Sequence, residues 1–197
     1  MTRIFITGNA GSGKSTLARR IGTALDLPVR GLDEVVWRPG WLKTKPDERA
    51  AAESALTEPA AWVIEGVSWT VMDAADLVIF LDVSRRTSYL RCARRNWRYL
   101  FRSRPGLPEN CPEILIIPEL IRIIWRFPQR VRPRILSALS ERPATSWIVR
   151  GPADLDQVLR QLGCQADINT PPDPAGIASS SRHSEGQTFS GSSPAVR

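Results

Sequence analysis

The sequence predicts an α/β domain built on a parallel sheet, and three observations predict it. Residues 3–7 and 146–150 are short β-rich runs, and 61–65 and 77–82 are nearly unbroken apolar runs, the pattern of strands covered on both faces. Helical segments alternate with these runs, which implies parallel strands joined by right-handed crossovers. A glycine-rich segment follows the first run directly and leads into an amphipathic stretch.

In chain order, residues 3–7 are the first strand, and the helix after the glycines places Leu17, Ile21 and Leu25 on one face. A short second strand is expected near 27–32. Residues 46–58 read as a helix, with Pro46 near its start and Pro59 past its end. Strands at 61–65 and 77–82 come next, then a strand at 146–150 and a helix at 153–162. Between 82 and 146 lies a long arginine-rich stretch. Its first part, 84–101, sets Leu90, Ala93, Trp97, Leu100 and Phe101 on one helical face, with Arg91, Arg94, Arg95, Arg98 and Arg102 mostly elsewhere. From about 169 onward Ser, Pro and Gly dominate and periodicity ends, so the expected division is a domain at 1–168 and a disordered tail at 169–197.

Length and composition narrow the classes. The 197 residues, 42% hydrophobic, fit one packed domain. The net charge is +7, and of the 27 Lys and Arg residues only Lys14, Lys43 and Lys45 are lysine. A guanidinium fork matches phosphate oxygens in pairs, so an arginine-rich chain suits phosphate ligands, nucleic acid or an acidic membrane; an arginine-favouring base composition of the genome accounts for the bias as well. Cys92, Cys111 and Cys164 are far apart and odd in number, with neither a disulfide framework nor zinc spacing. The sole histidine, His183, lies in the tail, which argues against a histidine triad or histidine metal site. The run at 114–125 contains Pro118, Glu119 and Arg122 and is too short to span a bilayer, which needs about 20 apolar residues. With no secretory leader expected, the chain reads as a soluble, cytoplasmic protein.

The strongest chemical signal is Gly8, Asn9, Ala10, Gly11, Ser12, Gly13, Lys14, Ser15 and Thr16, which fits G-x-x-x-x-G-K-[ST]. Glycines let the backbone turn with its N–H groups inward, forming an anion nest, and the following helix adds its N-terminal dipole. Lys14 is expected on the β- and γ-phosphates, the Ser15 hydroxyl on Mg²⁺ and Thr16 on the α-phosphate. The pattern therefore predicts a three-layer P-loop NTPase fold that binds a nucleoside triphosphate with magnesium. Other P-loop classes fit poorly. Residues 44–47 match the letters of a guanine-specificity element but precede the third strand, and 173–176 match D-x-x-G only within the tail. No transporter-ATPase signature is present, and the sheet is too short for a RecA-like motor.

The chain as a whole resembles the adenylate kinase-like group, and more closely the topology modulation protein family of kinase-like P-loop proteins. Besides 8–16, the resemblance rests on 32–37, 62–66, 77–82, 110–113, 125–130 and Arg132-Pro133, together covering roughly residues 3 to 162. It implies an acid near the acceptor or the magnesium water shell after the second strand, which falls on Asp33, with Glu34 beside it. It also implies that the arginine stretch is a helical lid closing over the phosphates, with Arg94 and Arg95 foremost among Arg91, Arg94, Arg95 and Arg98, and Arg130 and Arg132 as later candidates. The turn at 151–153 is implied to lie against adenine, although a plain strand-to-helix turn fits equally.

Position alone singles out Glu65, an acid ending an apolar strand where ligands of parallel sheets bind. A buried acid there needs a cation or a paired base. Gly66 next to it is expected to let a substrate approach the backbone. Asp82 ends another strand and suits a structural role. Trp37, Trp41 and Trp69 suit either an acceptor pocket or core packing. These residues make a phosphotransferase the expected function, moving the ATP γ-phosphate to a nucleotide or another small hydroxyl acceptor. A nucleotide-regulated nucleic-acid binder is the alternative, raised by the positive charge and by Trp97, Tyr99 and Phe101 among arginines. An interfacial helix at 114–125 is a third idea.

Overall fold

The structure, a computed structural model, describes residues 2–99 and 110–164. The expected tail at 169–197, and Leu100, Phe101 and Arg102 of the arginine stretch, lie outside them. The described residues fall within one compact unit, Met1–Ala166.

Five strands, β1 (Arg3–Gly8), β2 (Val29–Gly31), β5 (Trp62–Glu65), β6 (Leu77–Leu81) and β7 (Ser146–Val149), form one sheet in the order β2-β5-β1-β6-β7. Every pairing is parallel, as the unbroken apolar runs require. Successive side chains of a strand point to opposite faces, and the two cores divide accordingly. Ile4, Ile6, Val63 and Ile79 pack with Leu17 and Ile21 of α1 (Lys14–Leu25) and Val158 and Leu159 of α8 (Pro152–Gln161). Phe5, Ile64, Val78 and Phe80 pack with Val71 and Met72 of α4 (Trp69–Ala74), Ile135 and Leu139 of α7 (Arg132–Ser140), and Phe127 of α6 (Glu113–Arg130). The result is three layers with the sheet in the middle. Phe5 is fully buried at the centre, and truncating it to alanine costs about 3–5 kcal/mol.

The strand and helix expectations hold to within a residue or two, and the structure adds elements. α2 (Asp33–Val36) follows β2 at once, and a two-stranded antiparallel hairpin, β3 (Trp37–Arg38) with β4 (Leu42–Lys43), precedes α3 (Pro46–Thr57). At its turn Gly40 and Trp41 both have positive φ, 77° and 61°. For a bulky residue such as Trp41 that conformation is strained. It is held by the indole N–H donating to the Pro112 carbonyl at 2.9 Å and by an edge-on contact with Trp37 at 5.3 Å.

The stretch from 84 to 140 holds α5 (Arg85–Tyr99), α6 and α7. The apolar face expected on α5 is not its buried face. Leu90 and Trp97 are 73% and 79% exposed, whereas Ser88, Cys92 and Asn96 are buried. The reason is the partner: α5 lies against the glycine loop, and close approach to a backbone calls for small side chains.

Candidate active site

The loop between β1 and α1 stands at the C-terminal end of the central strand, with Gly8, Gly11 and Gly13 at φ of 151°, 72° and 102°. Gly11 is required by conformation and space alike: a Cβ there would lie 2.6 Å from the Ser88 carbonyl and 2.8 Å from Cys92 Sγ of α5. Lys14 Nζ donates to the Asn9 carbonyl at 2.9 Å, and the same carbonyl accepts the Ser12 N–H at 3.2 Å. The lysine thus folds back across the loop, as an anion cradle requires. Thr16 is exposed at the first turn of α1.

Ser15 and Glu65 are brought together. The Ser15 hydroxyl donates to Glu65 Oε1 at 2.7 Å, across the boundary between the loop and the neighbouring strand. Glu34 stands close by. Partial desolvation, chiefly, holds its carboxyl above the ordinary carboxylate range; Arg30 opposes this, and the negative charges of Glu65 and Asp33 add to it. Asp33, Glu34 and Glu65 therefore share one field, and Glu65 is bonded to Ser15 of the loop. A hydroxyl with carboxylates around it is a hard oxygen donor set of the kind Mg²⁺ takes, using one or two protein oxygens plus phosphates and water. Among the described residues no three His, Cys, Asp or Glu side chains converge as a protein-only metal cage, and such a site does not need one.

Gly66, at φ 147°, has a different task from the one expected. A Cβ there would meet the Leu32 side chain at 2.6 Å, so the glycine makes room for a core leucine rather than for a substrate.

Of the α5 arginines, Arg91 meets the loop. Its Nη1 donates to the Ser12 carbonyl at 3.0 Å and lies 3.7 Å from the position of a Cβ on Gly13. Arg94 is exposed, and Arg95 donates to the adjacent Asn96 Oδ1 at 3.3 and 3.4 Å. The Arg98 side chain is outside the described residues. Arg132 grips Asp82 with two bonds of 2.8 Å, and Arg150 stands 3.5 Å from the same carboxylate. These contacts, the Arg132 bonds first, hold Asp82 below the usual carboxylate range. Arg130 lies on the exposed side of α6.

Asn9, expected as a residue of the loop, also ties the loop to a distant helix. Its Oδ1 accepts the Ala10 N–H at 2.8 Å, and its Nδ2 donates to the Ile124 carbonyl of α6 at 3.2 Å. That carbonyl would normally bond the N–H four residues on, at position 128, which is proline. The spacing of Ile124 and Pro128 marks the freed carbonyl in the sequence; nothing local marks Asn9 as the group that takes it.

At the turn after β7, the Asp154 carboxylate accepts the N–H groups of Arg150 and Gly151 at 2.8 and 3.2 Å, closing the start of α8. Trp37 and Trp41 are half-buried in the hairpin, and Trp69 lies beneath the Arg134 guanidinium at 4.6 Å. Among the described residues no helix is long and apolar enough to cross a membrane.

In comparisons with known proteins, no family model matches the chain. It is 31% identical over 118 residues to a cytidylate kinase of Pyrobaculum aerophilum, a stretch that makes up 51% of this chain and 64% of the relative's length. Similar solved structures include a sugar kinase from Janibacter sp. (TM-score 0.48, 14% identity, 83% of this chain and 96% of that one). Others are the shikimate kinase of Aquifex aeolicus (0.46, 16%, 82% and 96%) and the deoxyadenosine kinase of M. mycoides (0.48, 16%, 81% and 97%).

Proposed function

We propose that this chain is an ATP-dependent phosphotransferase of the P-loop kinase kind, acting with Mg²⁺ on a small acceptor. The observation that carries the reading is the Ser15 hydroxyl bonded to Glu65, with Lys14 and Arg91 on the same glycine loop. A cradle alone would suit any nucleoside triphosphatase. A cradle with a carboxylate on its magnesium-ligand serine and two further acids, Asp33 and Glu34, alongside suits transfer to an acceptor held by the acids.

The amides of residues 8–16 and Lys14 would hold the phosphates, and the Ser15 hydroxyl with the Glu65 carboxylate bonded to it would hold magnesium. When bound there, magnesium would supply neutralisation of the phosphate charge. Asp33 orients the acceptor and, for a hydroxyl acceptor, takes its proton. The acceptor oxygen bonds to the γ-phosphorus as the bond from that phosphorus to the β–γ bridging oxygen breaks, and ADP leaves with that electron pair. Such transfers need positioning and charge neutralisation more than covalent help. Arg91 has the first claim on the neutralising role, with Arg94 and Arg95 on the next turn of α5. The resemblance to the topology modulation family, the cytoplasmic setting and the 1–168 domain boundary belong to this same reading.

The test is ADP release from Mg·ATP by the full chain, with and without nucleosides, nucleoside monophosphates and small hydroxyl metabolites, beside Lys14→Ala. The expected result is strong stimulation by one acceptor class and loss of ATP binding in the lysine variant. ATP binding unchanged by Lys14→Ala sinks the cradle. Tight, Lys14-dependent ATP binding with no stimulation by any acceptor, together with salt-sensitive DNA binding, turns the reading to a nucleotide-regulated nucleic-acid binder.

A further inference from the structure

Helices α5 and α6 share a seam, where the Tyr89 hydroxyl donates to the Ile121 carbonyl at 3.1 Å and the Arg85 guanidinium stands 4.7 Å over the Trp125 ring. One turn back along α5 meets one turn on along α6, so the two run antiparallel. Both meet the glycine loop: α5 sets Ser88 and Cys92 against Gly11, and the α6 carbonyl of Ile124 accepts from Asn9. The sides turned away from the loop are apolar and exposed. Leu90 and Trp97 are two turns apart, on the side of α5 opposite Ser88, and are 73% and 79% exposed. On α6, Ile114, Ile121 and Trp125 share one stripe by spacing, with Leu115 on the adjoining side, and all four are between 43% and 65% exposed.

A single exposed apolar side chain needs no explanation, but a face of large ones across two packed helices marks an interaction surface. Its charge says what kind. Between Arg85 and Tyr99 the sequence has six arginines and no acid, and α6 adds three arginines against Glu113 and Glu119. Glu119 is already engaged, accepting from Arg122 at 2.6 Å and pairing with Lys43 of the hairpin at 3.6 Å. Arg86 precedes Leu90 by one turn, Arg122 is one residue from Ile121, and both are exposed.

Three occupants would cover such a face, and they differ in chemistry. A second copy of the chain would set these arginines against one another, with only Glu113 and Glu119 to answer them, and like charges across an interface are costly. Nucleic acid would answer the charge and stack on the tryptophans, but it gives Leu90, Leu115 and Ile121 nothing apolar to enter. An anionic lipid surface answers both. Headgroup phosphates take the guanidiniums, tryptophan rings settle at headgroup level, and aliphatic side chains reach the acyl boundary.

We propose that the outward face of the α5–α6 pair docks on an anionic lipid surface, with Leu90, Trp97, Ile121 and Trp125 entering the headgroup boundary and the flanking arginines holding phosphate headgroups. This does not depend on phosphotransfer. Co-sedimentation of the full chain is measured with phosphatidylcholine vesicles and with vesicles of phosphatidylcholine mixed with phosphatidylglycerol, at low and at high salt. The proteins are wild type, Leu90→Ser/Trp97→Ser, Ile121→Ser, Arg86→Gln/Arg122→Gln and, as a control, Leu42→Ser, an exposed leucine of the hairpin. Wild type is expected to bind the mixed vesicles and not phosphatidylcholine alone, and to bind less as salt screens the headgroups. Leu90→Ser/Trp97→Ser is expected to lose at least about 10-fold in partitioning, the worth of burying one large apolar side chain. Ile121→Ser is expected to lose several-fold, and Arg86→Gln/Arg122→Gln about 10- to 30-fold. Leu42→Ser is expected to bind as wild type does. Every altered side chain is exposed, so thermal melts and ATP binding are expected to stay unchanged in all variants. No binding to the mixed vesicles overturns the proposal, as does binding that Leu90→Ser/Trp97→Ser leaves intact. Self-association or oligonucleotide binding that depends on Leu90 and Trp97, with no vesicle binding, overturns it too and gives the face to that partner.

Discussion

Ser15 donates its hydroxyl to Glu65 at 2.7 Å, joining the start of α1 after the glycine loop to the end of the adjacent strand. If Ser15 ligates Mg²⁺ as proposed, a carboxylate accepting from its hydroxyl would orient that ligand and add negative charge next to the ion. Glu65→Gln keeps the size and one acceptor oxygen but removes the charge. The expected result is an Mg²⁺ requirement for ADP release raised about 10- to 100-fold, with thermal stability nearly unchanged. Magnesium titration of the initial rate is the measurement, and an unaltered half-saturating concentration would remove Glu65 from the metal's surroundings.

Arg91 reaches the Ser12 carbonyl from α5, whereas Arg94 is exposed and Arg95 bonds its neighbour Asn96. Under the proposed phosphotransfer, a guanidinium already bonded to the loop would be placed to meet phosphate charge as it develops. Arg91→Ala is expected to lower kcat by about 10²- to 10³-fold, the range for removing one preorganised donor to developing charge. Arg94→Ala and Arg95→Ala are expected to lose less. Steady-state kinetics on the three variants decides the order, and a deficit for Arg94→Ala larger than for Arg91→Ala would reverse the assignment.

Much of this arrangement is legible in the sequence because its causes are local. The glycine loop announces itself, since a phosphate nest needs fixed residue types at fixed spacing, and the strands announce themselves by burial on both faces. Other features depend on distant partners. The buried side of α5 is Ser88, Cys92 and Asn96 rather than Leu90 and Trp97 because Gly11 approaches within a methyl's width of it. The hairpin was punctuated by Pro39 and Gly40, but two-residue strands carry too little periodicity to read. Pro118 and Pro128 interrupt the pattern of α6, yet the helix runs through both.

The Asp82–Arg132 pair predicts a pH dependence. Asp82 is held below its ordinary value in the folded state, so its contribution is present above the unfolded pKa and is lost as pH falls through the lowered folded value. Asp82 is nearly buried, at 11% side-chain exposure, and Arg132 is 37% exposed. Allowing for that exposure, the pair contributes about 1–2 kcal/mol. Asp82→Asn is expected to lower the melting temperature at pH 7 while losing less than wild type on acidification below about pH 4. Thermal melts from pH 3 to 7 check this, and parallel curves for the two proteins would show that the pair is not linked to folding.

Asn9 and Pro128 make a prediction that neither residue makes alone. Pro128 leaves the Ile124 carbonyl without its helical donor, and Asn9, only 2% exposed, supplies a substitute from the phosphate-binding loop. Asn9→Ala strands that carbonyl in a buried place and costs about 1–3 kcal/mol. It also removes the bond to the Ala10 N–H, a loss independent of position 128. Pro128→Ala restores an amide that can bond Ile124 within the helix, and an interior proline is unfavourable by about 3 kcal/mol, so this variant is expected to be more stable than wild type. The same substitution offers Ile124 a partner that competes with Asn9, loosening the loop from α6, so the KM for ATP is expected to rise while stability increases. In the Pro128→Ala background Asn9→Ala is expected to cost at least about 1 kcal/mol less than in wild type. Denaturant unfolding of the four proteins closes the cycle. Strict additivity would mean that the Asn9 amide does not substitute for the donor that Pro128 removes, and that α6 is not tied to the loop through it.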